Sequence, residues 1–98
     1  MPKGYWIAHG RVDDAAKYDL YRAANAAPLA EHGGRFLVRG GARELVEGDA
    51  KPRTVVIEFP SYEAALACYR SPGYQAALAL RQGISESDLV IAEGWDGA

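Results

Sequence analysis

Residues 53–80, RTVVIEFPSYEAALACYRSPGYQAALAL, constrain the fold more than any other stretch of this chain. An apolar strand carrying one acid, Glu58, turns at Pro60 and Ser61 into a helix whose tyrosines recur at helical spacing. A carboxylate within an otherwise apolar strand is costly unless it is paired or hydrogen-bonded. Glu58 therefore marks either a structural ion pair or the wall of a polar pocket.

The remaining segments fall into place around this one. Residues 4–12 hold Tyr5, Trp6, Ile7 and Ala8 and have the composition of a strand. Asp13 or Asp14 is a natural N-cap, and the helix that follows runs to about His32 with Tyr18, Tyr21, Asn25, Leu29 and His32 on one face. Pro28 removes a backbone donor, so a kink or restart is expected near 25–27, and Gly33 with Gly34 supplies a left-handed cap. Residues 35–41 form a second strand, with Phe36, Val38 and Gly40 on one face and Leu37 and Arg39 on the other. Gly40 and Gly41 invite a bulge, after which 44–47 can continue the strand. A hairpin loop around Gly48, Asp49 and Pro52 leads to the third strand at 53–59. Ser61 caps the second helix, whose stripe is Tyr62, Ala65, Leu66 and Tyr69. Ser71 and Pro72 open another short helix that ends by Gly83, and 88–95 is the last strand.

The order strand, helix, strand, strand, helix, strand predicts an α+β fold. It is the ferredoxin-like βαββαβ plait, a four-stranded antiparallel sheet with its helices on one face. A sheet wetted on one face alternates apolar with polar residues. Here both faces of the first, third and fourth strands are substantially apolar, and helices cover only one. A second copy of the chain is the simplest cover, so a homodimer is expected.

Ninety-eight residues suffice for one domain, 1–98, and 49% hydrophobic with 24% charged residues is globular composition. Eleven basic against thirteen acidic residues, interspersed, leave a net charge of −2 and no basic tract, which argues against a nucleic-acid partner. One cysteine, no signal-peptide pattern and no membrane-length apolar run indicate a cytoplasmic protein away from membranes.

The runs KGYWIA (3–8), GGRFLVRGG (33–41), VVIEFPS (55–61) and YRSPGY (69–74) closely resemble the family called domain of unknown function 1330, in the same order and spacing. The resemblance implies a dimeric α+β barrel, two plaits packed sheet against sheet. That superfamily includes small monooxygenases and muconolactone isomerases; the family itself implies no reaction. Asn25, Arg39, Glu58 and Tyr74 stand where its members carry the same residue types, whereas Arg70 departs from an expected asparagine.

Among candidate site residues the pair Arg39 and Glu58 leads. Strands two and three neighbour each other in a plait, and alternation predicts both side chains on the helix-free face. The functional reading is a polar pocket in which Arg39 holds an anionic group and Glu58 acts as base or acceptor. The structural reading, a salt bridge in the dimer interior, is favoured, because ion-pair networks perturb charged groups as readily as active sites do. Asn25 contacts a ligand or, by preference, satisfies backbone groups freed by Pro28. His9 is a pocket candidate without metal-ligand neighbours, more readily read as a packed or rim residue. Cys68, on an alanine-rich helix without a nearby base, is a packing residue. No cofactor, metal or phosphate loop is expected. The expected function is a cofactor-free small-molecule binder or enzyme for a small anionic or aromatic ligand; the alternative is a homodimer that acts by association alone.

Overall fold

The computed structural model describes residues 2–97. Its elements are β1 (Gly4–Val12), α1 (Ala15–Glu31), β2 (Arg35–Arg39), β3 (Arg53–Phe59), α2 (Tyr62–Arg70), α3 (Pro72–Ala79) and β4 (Ser85–Glu93). The strands form one sheet in the order β2-β3-β1-β4, every neighbouring pair antiparallel. This is the α+β ferredoxin-like fold, with the second helical segment broken at Ser71.

Local chemistry sets the boundaries. The Asp14 carboxylate accepts from the Lys17 amide, the Ser61 hydroxyl from Ala64 and the Ser71 hydroxyl from Tyr74, so each helix opens on a side-chain cap. Gly33 closes α1 at φ +76°, a conformation that a Cβ disfavours. The restart expected before Pro28 does not occur: α1 runs unbroken to Glu31. Proline sits in the last turn, where one lost backbone bond is outweighed by burial of Tyr21, Pro28 and Leu29.

Two strand expectations also change. Residues 41–50 carry no strand, so the extension at 44–47 is absent, and β4 begins at Ser85 rather than 88. The irregularity in β2 lies between Phe36 and Val38, not at the glycine pair. Phe36 aligns with Ile57 and Arg39 with Val55, which puts both on the helix-facing side.

The core lies between that side and the helices. Trp6 is its centre, buried, with its Nε1 donating to the Ala65 carbonyl at 2.9 Å. Its ring stands 5.2 Å from Phe59 and 4.8 Å from Tyr74. Truncating such a residue to alanine costs about 3–5 kcal/mol. No helix among the described residues covers the opposite face of the sheet. Across it Val38 aligns with Val56, Val56 with Ile7 and Ile7 with Val90, a β-branched row spanning all four strands. Val38 and Val90 are exposed. No helix among the described residues is long and apolar enough to cross a membrane.

Candidate functional site

Between the sheet and helices α1 and α3 lies a cavity of about 70 Å³. The strands contribute Trp6, Ala8, Phe36, Arg39, Arg53, Val55, Ile57 and Leu89; α1 contributes Tyr18, Tyr21 and Asn25, α3 contributes Tyr74, and Arg81 follows α3. It opens to solvent past the exposed side chains of Arg11, Arg22 and Glu86. At this size it has room for several water molecules or the polar end of a small ligand.

Three guanidiniums define its electrostatics. Arg39 lies 4.2 Å from the Phe36 ring centre, Arg53 lies 5.6 Å from that of Tyr18, and Arg81 lies 5.2 Å from that of Tyr21. Each cation is held by an aromatic face. None of the ion pairs among the described residues includes them. Arg11 and Arg22 at the mouth are different: Arg11 is neutralised by Asp13 and Glu86, and Arg22 by Asp19. Three cations outside any ion pair among the described residues therefore sit around the cavity, although the chain as a whole is acidic.

The hydroxyls form a second layer. Tyr21 and Tyr74 share a hydrogen bond at 2.8 Å, and the Tyr18 hydroxyl accepts from Arg53 Nη1 at 3.3 Å. Burial, and then the neighbouring Tyr21, push the Tyr74 phenol far above its ordinary range, so it stays protonated. Burial likewise raises Tyr18. Burial opposes the charge of Arg81, but Tyr74 and Tyr21 beside it together outweigh that and raise its pKa.

Asn25 is the one buried polar residue of the core among the described residues and is only 6% exposed. Its Oδ1 has no hydrogen-bond partner among the described residues. A buried acceptor left unpartnered beside a cavity is expensive unless something satisfies it.

The expected pair is not brought together. Glu58 lies opposite Tyr5 on the helix-free face, where it accepts from Arg35 Nη2 at 3.2 Å and from Tyr5 Oη at 3.4 Å, with Lys3 Nζ at 3.9 Å. Arg39 is on the other face because the irregularity at Leu37 shifts the alternation of β2 by one residue. His9 also stands away from the cavity: its Nδ1 is 3.0 Å from Thr54 Oγ1, beside a more open depression of about 590 Å³ under the loop 40–52. Of the four candidates, Arg39 and Asn25 line the cavity, and Glu58 and His9 do not.

Sequence reasoning missed Arg53 and Arg81. A signal for Arg53 existed, since it shares the parity of Val55, Ile57 and Phe59 and so points toward the helices. Arg81 had one as well, standing seven residues after Tyr74 in the segment expected to stay helical up to Gly83. Cys68 is fully buried, with its thiol pushed up to about 11 by burial and then by Glu31. No group of three or more His, Cys, Asp or Glu side chains among the described residues could hold a metal.

The fold and cavity define a small α+β protein of the ferredoxin-like class. The family described as Domain of unknown function (DUF1330) matches residues 3–95, and the chain belongs to that family. It is similar in structure to a protein of unknown function from Rhodopseudomonas palustris, at 18% identity and TM-score 0.77 over 97% of this chain and 84% of that one. It is also similar to SnoaB, a cofactor-independent oxygenase from Streptomyces nogalater, at 18% identity and TM-score 0.67 over 98% and 96% of the two chains. A dimeric ferredoxin-like protein of unknown function from Thermobifida fusca aligns at 18% identity and TM-score 0.53 over 94% and 91%. At these identities the likeness carries the fold alone. No curated protein matches the chain.

Proposed function

We propose that this protein binds a small organic anion, a carboxylate, phenolate or enolate, in the cavity between sheet and helices. The observation that supports it is the convergence of Arg39, Arg53 and Arg81, none ion-paired, on an aromatic-walled space. A guanidinium that stacks on a ring and spends one or two donors on tyrosine hydroxyls keeps most of its five donors free, and planar anions match that fork. Holding an enol or phenol as its conjugate base is how such a cavity would serve a reaction without a cofactor. The likeness to an oxygenase of that kind is compatible with this reading.

The working unit in this proposal is a cytoplasmic homodimer joined through the helix-free face. The row Val38, Val56, Ile7 and Val90 supplies apolar surface there, and the buried thiol of Cys68 requires no oxidising compartment. The same row favours the second reading, association without small-molecule chemistry.

Calorimetric titration separates the two. Benzoate should bind the wild type and benzamide, its neutral counterpart, should bind at least tenfold more weakly; Arg53→Met should remove most of the difference. Equal affinity for acid and amide, or no binding of either, defeats the anion reading.

A further inference from the structure

Asn25 and the tyrosine pair add a demand that guanidiniums alone do not make. Resting on the anion-binding reading above, we propose that the cavity selects acids bearing a hydroxyl, of the planar hydroxybenzoate or enol-acid type. The carboxylate faces the arginines, and the ligand hydroxyl donates its proton to Asn25 Oδ1.

The argument is an account of donors and acceptors. Tyr21 and Tyr74 bring two hydroxyl protons, and their mutual hydrogen bond consumes one. Arg81 beside them only donates. One hydroxyl proton is therefore left for an acceptor. Asn25, more than nine-tenths buried, lines the same cavity, and its buried Oδ1 accepts nothing among the described residues. An anion fills the need of the guanidiniums and of the spare hydroxyl but leaves Asn25 unanswered. A ligand carrying both an anionic acceptor and an O–H donor answers all three. The walls explain the planarity: Trp6, Tyr18, Tyr21, Phe36 and Tyr74 present aromatic surface to the cavity. A site built to accept a hydroxyl proton discriminates against an analogue that lacks it, because its acceptor is then stranded.

The test is a titration of benzoate, the three monohydroxybenzoates and their methoxy counterparts against the wild type and Asn25→Leu. At least one hydroxybenzoate should bind about tenfold or more tightly than both benzoate and its own methoxy counterpart. Asn25→Leu should erase that preference, so that the variant binds the hydroxybenzoate no more tightly than it binds benzoate or the methoxy counterpart. Should Asn25→Leu not fold, the ligand series on the wild type decides alone. Benzoate binding as well as every hydroxybenzoate overturns the hydroxyl selection but leaves the anion site standing. A preference that survives in Asn25→Leu overturns the role of Asn25. Binding of none of these acids overturns the anion site, and this inference with it.

Discussion

The hydroxyls of Tyr21 on α1 and Tyr74 on α3 lie 2.8 Å apart, 53 residues apart in the chain, in the floor of the cavity. Both phenols are buried. Tyr21→Phe leaves the Tyr74 hydroxyl with one partner fewer, so a loss of about 1 kcal/mol is expected, with a fall in melting temperature of about 4–8 °C. Thermal unfolding followed by circular dichroism measures it.

Tyr74 makes stability fall at high pH. Its folded-state pKa is raised above the ordinary value of about 10, so the folded protein holds a proton that the unfolded chain releases. Its contribution is intact below pH 10 and declines progressively above it. Urea unfolding at pH 7 and pH 11 should show the decline, and Tyr74→Phe should flatten it. A pH dependence unchanged by the substitution would contradict the assignment.

Glu58→Gln should leave cavity binding untouched, because Glu58 faces the other side of the sheet with Tyr5 and Arg35. The loss is confined to partly exposed ion pairs and should be about 1 kcal/mol or less. A tenfold change in benzoate affinity would instead tie the two faces together.

Val56→Asp places a charge in the middle of the row between Ile7 and Val38. If two copies join through this face, the variant is monomeric by light scattering at micromolar concentration while keeping its circular dichroism spectrum, since desolvating an unpaired charge is prohibitive. A wild type that is itself monomeric would remove the dimer from the proposal.

Cys68 should resist thiol reagents. It is fully buried and its thiol is raised to about 11, so little thiolate exists at pH 8. Ellman's reagent should react over hours with the native protein and within minutes once it is unfolded in guanidinium.

The plait was legible in the sequence because its determinants are local. Asp14, Ser61 and Ser71 cap their helices, Gly33 ends the first one, and strand alternation marks 53–59 without error at either end. The inward placement of Asn25 was legible too, through the helical spacing from Tyr21 to Leu29. The pairing of Arg39 with Glu58 failed for a reason that no local pattern holds. The irregularity at Leu37 exists only in the register of β2 against β3, and one extra residue moved Arg39 to the far side of the sheet. The cavity itself was beyond the sequence for the same reason. Arg53, Arg81, Tyr21 and Tyr74 come from separate elements, and only the packing of helices on one face of the sheet brings their charges and hydroxyls around Asn25.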